Sequence, residues 1–287
     1  MRLIRKPHWL PSACLLALAA PWCAGQSAST ANVIDLAQRQ VTGYLAKLAD
    51  LHCTETVTQQ KLSGNGHVQA TERAKYDYLI MMSGTGDDFR LNESRIVSTA
   101  GHDKHPQLPM LVTNGVATLL LVFHPYYRDS FKFDIGEDEM VNGQPAIPVH
   151  FTHIPGRRTP AALALRGREY PLDLAGTAWL DRRSSQVVKM EAHLLRDMSD
   201  VGLRSLEIHV EYKPVDPKVA SVDVPAMAVV DVTTPRQHWR NTHVFDDYRG
   251  FSIEAEQDPN VKVRNDSASP DGAAVKEALP STPKEKP

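Results

Sequence analysis

Cys53, several closely spaced histidines and a few acidic doublets are the residues whose types could do chemistry in this 287-residue chain. His102-Asp-Lys-His105 and His150-Phe-Thr-His153 each place two imidazoles three residues apart, a spacing that on a helix would bring both to one metal ion. Neither stretch reads as helix. In a strand, positions i and i+3 point to opposite faces, so His150 and His153 read as surface or hydrogen-bonded side chains. His238 and His243, on either side of Trp239-Arg240, read the same way. Asp87-Asp88, Glu137-Asp138-Glu139 and Asp246-Asp247 lack the ligand spacing of a calcium loop and read as solvated turns. Nucleophilic catalysis needs a serine or cysteine beside a base. No Gly-x-Ser-x-Gly elbow, Ser-x-x-Lys or His-Glu-x-x-His is present, and Ser63-Gly-Asn-Gly66 reads as a turn. No metal or cofactor is expected, and the chain does not read as an enzyme.

The compartment is set by the first 25 residues. Arg2, Arg5 and Lys6 precede an apolar stretch from Leu10 to Ala20, and Cys23-Ala-Gly25 offers small residues for cleavage ahead of Gln26. This pattern predicts a cleaved Sec-type signal peptide over 1–25 and a periplasmic or secreted protein. The apolar stretch is about half the roughly 20 residues needed to span a bilayer, so no integral membrane protein is expected. Removing the three basic residues from the total of 32 leaves 29 against 34 acidic ones, a balance that disfavours nucleic-acid binding. Cys53 alone survives cleavage, which excludes an internal disulfide and predicts a thiol buried in a core.

The elements that must position these residues are mostly strands. Val33, Ile34, Ala37, Val41, Tyr44, Leu45 and Leu48 recur at helical spacing and predict an amphipathic helix from about Asn32 to Ala49. From Leu51 the period changes to two, and Ser63–Gly66 predicts the turn of a first hairpin. A second helix is expected over Thr113–Phe123, capped at Asn114-Gly115 and stopped by Pro125. Asn142-Gly143 predicts a two-residue hairpin turn. Val188, Met190, Ala192 and Leu194 form one apolar face, as do Leu206, Ile208, Val210 and Tyr212, and strands follow over 219–234 and 242–256. About ten antiparallel strands with two helices predict an α+β fold: a large curved half-barrel sheet wrapped around the N-terminal helix and the short second one. It is expected to fill residues 26–257 as one domain. Asp258 to Pro287, with almost no large apolar residues, is expected to be a disordered tail.

The hairpin Gly176-Thr-Ala-Trp179-Leu-Asp181-Arg-Arg-Ser184-Ser-Gln-Val187-Val-Lys189 joins two of these strands at a polar turn. With the export signal, the amphipathic helix and the long meander, it resembles the LolA/LolB-like superfamily of periplasmic lipoprotein-sorting proteins. Trp179, Leu180, Asp181, Val187 and Lys189 carry the match. The ending His243-Val-Phe245-Asp-Asp-Tyr248-Arg-Gly-Phe251 more closely resembles secreted bacterial proteins of this type. The Arg157–Glu169 insertion makes this chain longer than the usual carrier, and its arginines read as an exposed charged loop. The resemblance implies a half-open barrel lidded by helices over an apolar cavity.

The expected function is therefore non-catalytic binding of an acyl chain, lipid or lipidated peptide. Tyr78, Ile80, Met82, Leu119, Leu120, Phe123, Trp179, Val188 and Met190 are the candidate lining, with Met81 beside them. Lipid, lipoprotein or an envelope protein are the expected partners. An envelope protein–protein interaction module with a filled core is the alternative, and a Cys53-dependent hydrolase stands third.

Overall fold

The computed structural model describes residues 29–84, 89–97, 113, 116–165 and 167–250. The export signal, the expected tail, His102, His105, Asp87-Asp88, Asn114-Gly115, Arg166 and Phe251 lie outside these residues. Among the described residues, no helix is long and apolar enough to cross a membrane.

The first helix, α1, spans Ser29–Leu48. Ile34, Ala37, Val41, Leu45 and Leu48 are buried at spacings of three and four, a single stripe along one side. Burying each large apolar side chain of that stripe contributes about 1.5–3 kcal/mol. Lys47 occupies the last turn, where a cation offsets the helix dipole, and donates to Ser221 Oγ at 2.8 Å. A long hairpin follows, with β1 over Leu51–Leu62 and β2 over Val68–Ser83. Its turn is closed by Ser63, whose Oγ accepts from the His67 N–H at 3.0 Å, and by Gly66, which takes φ +81°. β3 over Arg90–Val97 then pairs with the second half of β2.

The second helix differs from expectation. Thr118–Phe123 forms a 3₁₀ helix, followed by a single α turn, α2, over Pro125–Arg128. Leu119 to Phe123 are all buried, so the segment is packed on every side rather than amphipathic. His124 precedes a proline and is held extended, which breaks the run after six residues, a length at which the tighter 3₁₀ geometry is common. The His124 ring then caps α2 by accepting from the Tyr126 N–H.

The remaining chain supplies β4 (Phe131–Ile135), β5 (Glu139–Val141), β6 (Gln144–His153), β9 (Leu174–Asp181), β10 (Val187–Leu194), β11 (Ser205–Lys213), β12 (Val224–Thr233) and β13 (His238–Gly250). β7 (Ala162–Leu165) and β8 (Arg168–Pro171) form a separate two-stranded hairpin that overlaps the expected insertion and ends two residues beyond it. Asn142 and Gly143 both take positive φ, the backbone of the turn predicted between β5 and β6. The eleven-stranded antiparallel sheet runs β3-β2-β1-β13-β12-β11-β10-β9-β6-β4, with β5 added to β6, and it is not closed. α1 packs against the 3₁₀ helix, β1, which is third from one edge of the sheet, and β4 at the other edge. A flat sheet could not bring β1 and β4 to one helix, so the sheet curls around α1. Its inner face contributes Cys53, Ala178, Leu180, Met190, Val210, Ala228 and Phe245 to one core with α1.

The β9–β10 hairpin is closed by Asp181, whose Oδ1 accepts from the N–H groups of Arg183 and Ser184 and from the Ser184 hydroxyl. Desolvation works against its charge, yet these donors hold the carboxyl below its usual range. Gly176 lets three strands approach closely. A Cβ there would meet Glu191 O at 2.0 Å and Phe151 Cζ at 2.7 Å. Gly176→Ala is expected to destabilise the protein by about 3 kcal/mol, the upper range for overpacking, read as a lowered urea midpoint with unchanged slope.

Candidate functional site

The expected lining residues divide between the two faces of the sheet. Tyr78, Ile80, Leu119, Leu120, Phe123 and Met190 are buried in the core between sheet and helices, and Met82 packs against it. Met81 lies on the opposite face of β2 and is exposed. Trp179 also faces outward, because its neighbours Ala178 and Leu180 point into the core. Its ring is covered by Lys189, whose Nζ lies 4.5 Å from the ring centroid, and its Nε1 donates to Glu139 at 2.8 Å. Val188 is displaced from the inner face by a register shift in the β9–β10 pairing between Val187 and Lys189. The bulge turns Val187 into the core instead. Trp179 and Val188 are therefore removed from the candidate cavity, while Val187 joins it.

The hollow of the sheet is occupied by α1 and the 3₁₀ helix. A small apolar cavity of about 20 Å³ remains at the seam between α1 and β10–β11, enough for about one water. Val41 and Tyr44 of α1, Leu120, Val187, Tyr212 and Val222 form its walls, with the amides of Gln40 and Gln186 beside them. Tyr44 and Tyr212 meet edge to face, ring centroids 6.3 Å apart. Both hydroxyls are buried and make no hydrogen bond among the described residues. Burial pushes both phenols above their ordinary value.

Further along the inner face lies a polar cluster that sequence reasoning missed. Glu55 and Gln59 of β1 and Asn241 and His243 of β13 are all buried there. His243 Nδ1 donates to the Glu55 carboxylate at 2.7 Å, and its Nε2 is hydrogen-bonded to the Thr113 hydroxyl at 2.7 Å. Asn241 Nδ2 donates to Thr113 Oγ1, and Gln59 Nε2 donates to Asn241 Oδ1, both at 3.0 Å. Arg95 of β3 grips Glu55 through two nitrogens and stacks over Tyr78. Burial alone would raise the Glu55 carboxyl, but Arg95 and His243 hold it below the usual range. Thr113, His243 and Glu55 stand in the order hydroxyl, imidazole, carboxylate. Each nevertheless has its partners inside the cluster, which ties the segment before the 3₁₀ helix to the sheet. Glu93 does the same one turn later, accepting from the Ala117 N–H at 3.0 Å. The sequence held one clue: Cys53, Glu55, Val57 and Gln59 share a face by alternation.

The other candidate groups are dispersed. His150 points outward to Thr177, whereas His153 is buried against Asp173 and the Arg158 carbonyl. Among the described residues, no three His, Cys, Asp or Glu side chains gather as a metal site. Cys53 is buried, and desolvation pushes its thiol up to about 12 despite a hydrogen bond with Tyr248. Such a thiol carries almost no thiolate at neutral pH. Arg157 and Arg158 border an open polar depression near α2, where Arg158 stacks over Tyr126 at 4.1 Å.

No family model matches the sequence, and no curated relative matches it. Solved structures match the chain at low identity. A DUF1329 family protein from Desulfovibrio piger is 11% identical with a TM-score of 0.41, over 78% of this chain and 93% of that one. A LolA superfamily protein from Nitrosomonas europaea is 11% identical with a TM-score of 0.35, over 75% and 94%. A domain described as an outer membrane lipoprotein-sorting protein from Vibrio parahaemolyticus is 12% identical with a TM-score of 0.34, over 78% and 97%. The chain is thus similar to LolA-superfamily and DUF1329 proteins. At these scores the likeness assigns no residue a role.

Glu55→Gln leaves the largely buried Arg95 guanidinium without the carboxylate that holds it, and is expected to cost about 3 kcal/mol in urea unfolding. Because the folded-state carboxyl lies below its unfolded value of about 4.3, its stabilisation is present above that pH and lost as pH falls through the folded value. The difference between wild type and Glu55→Gln should shrink in unfolding curves taken progressively below pH 4.3. Cys53 should resist a small disulfide reagent at pH 8 in the folded protein and react completely in 8 M urea. Rapid labelling of the native protein would contradict the buried placement.

Proposed function

We propose that this chain is a periplasmic or secreted binder of an apolar ligand, an acyl chain, lipid or lipidated peptide, held without covalent chemistry between the curved sheet and α1. In this reading residues 26–257 form the binding domain, residues 1–25 direct export, and 258–287 form a tail. The observation that carries the reading is the seam cavity, an apolar gap at the boundary between a single helix and the open sheet.

The cavity has room for about one water, so an acyl chain enters by displacing α1 or the 3₁₀ helix. Three polar ties of α1 lie at its margins. Arg128 pairs with Asp35 and donates to Gln38, and Lys47 donates to Ser221. Exposed ties of this kind contribute about 0–1 kcal/mol each. An entering chain contributes about 0.8 kcal/mol for each buried methylene, so ten methylenes offset a substantial rearrangement. Tyr78, Ile80, Met82, Leu119, Leu120, Phe123 and Met190 form the apolar surface that such movement would open.

Native mass spectrometry on protein purified from a secretory host without detergent tests the reading. The expected result is a mass lacking residues 1–25, carrying an acyl-containing adduct that is lost on solvent extraction and regained from phospholipid or lipopeptide. An unadorned mass that stays unchanged when both are supplied would reject the carrier reading in favour of a filled-core module that docks to an envelope protein.

A further inference from the structure

The seam cavity has a feature that plain core packing leaves without explanation. Tyr212 is 5% exposed and its hydroxyl, like that of Tyr44, is buried without a hydrogen bond among the described residues. A buried hydroxyl without a partner is destabilising, and native proteins keep few of them. Phenylalanine would supply the same edge-to-face packing at both positions without that penalty. Both tyrosines line one apolar cavity, from opposite sides of the seam between α1 and β11. Of the other tyrosines in the core or packed against it, Tyr248 donates to the Pro225 carbonyl at 2.8 Å, while the Tyr78 hydroxyl is also buried without a hydrogen bond among the described residues. What sets Tyr44 and Tyr212 apart is that they share one cavity.

We propose that Tyr44 and Tyr212 form a polar subsite that binds the uncharged ester or amide carbonyl of an acyl ligand, while the adjoining core takes its hydrocarbon chain. The inference rests on the ligand-binding reading above and specifies the ligand's chemistry. A phenol hydroxyl donates to a carbonyl oxygen, and an ester presents two oxygens to two donors. None of the described residues lining the cavity is charged, and Asp223 is close enough to Tyr44 to act on it electrostatically. A carboxylate would enter this site without a counter-charge, which is costly in an apolar setting. The site therefore prefers an acyl ester or amide to a free fatty acid. Phospholipids and acylated peptides both carry the required group.

The test is displacement of the neutral apolar fluorophore N-phenyl-1-naphthylamine from full mature protein by methyl laurate, laurate and dodecane, at pH 7.5 and below each competitor's aggregation limit. Methyl laurate is expected to compete about tenfold more strongly than dodecane or laurate, the ratio for two modest hydrogen bonds. In the double variant Tyr44→Phe, Tyr212→Phe the ester should fall to the level of dodecane, with dodecane itself unchanged. Without ligand, that variant should melt at or a few degrees above the wild-type temperature, because an unsatisfied hydroxyl has been removed. Dilauroyl phosphatidylcholine and a lauroylated peptide, compared with both proteins, then distinguish the two natural sources of the carbonyl.

Three results would overturn the subsite. One is unchanged ester preference in the double variant. Another is equal competition by ester and alkane in the wild type. The third is a marked fall in melting temperature, which would mean that water or protein already satisfies the hydroxyls. Failure of the fluorophore and of every competitor to bind the wild type would instead reject the ligand-binding reading itself, and the subsite with it.

Discussion

The seating of α1 in the hollow of the sheet is the contact on which the rest of the molecule depends. An eleven-stranded sheet with one apolar face must cover that face, and few helical residues are available to do it. The stripe Ile34, Ala37, Val41, Leu45 and Leu48 provides the cover for the centre of the sheet. Curvature follows from the same contact, since α1 touches both β1 and β4, which stand far apart in the strand order. The bend in turn needs close strand approach around β9, which Gly176 permits by offering no side chain against Glu191 and Phe151.

Two kinds of contact hold the lid, and they differ in strength. The 3₁₀ helix is pinned at its entrance by buried polar groups, with Thr113 joined to His243 and Asn241, and Ala117 to Glu93. α1 is held by apolar burial with exposed ties at its margin. If one element yields to a ligand, the energetics favour α1, because its polar ties exchange readily with water whereas the buried cluster does not.

Local periodicity made much of the fold legible. The α1 stripe, the β1–β2 turn, the Asn142-Gly143 turn and the Asp181 hairpin are each written in fewer than twenty consecutive residues. The second helix is present and buried as its apolar residues implied, but it begins at Thr118 and is 3₁₀, because an entirely apolar run has no helical phase from which its start or its winding can be read. Trp179 and Val188 were misplaced for different reasons. Trp179 obeys the alternation of its strand but uses the outer face, where Lys189 and Glu139 cover it. Val188 would have pointed inward had a bulge not shifted the register by one place. The Glu55–His243 pair joins positions 188 apart, and no local pattern announces a contact of that range. The orphan hydroxyls were equally hidden, since a tyrosine on an apolar stripe reads as core whether or not its oxygen finds a partner.

The open outline of the sheet separates two quantities that a closed barrel would couple. β3 ends the strand order on one side and β4 on the other, with no ladder joining them among the described residues. In a sealed cylinder, changing the bore means altering the tilt and stagger of every strand together. An open sheet carries no such closure constraint, so the twist between neighbouring strands is not fixed by the rest of the circle. The geometry is that of a leaf spring rather than a pipe, with α1 and the 3₁₀ helix filling the hollow.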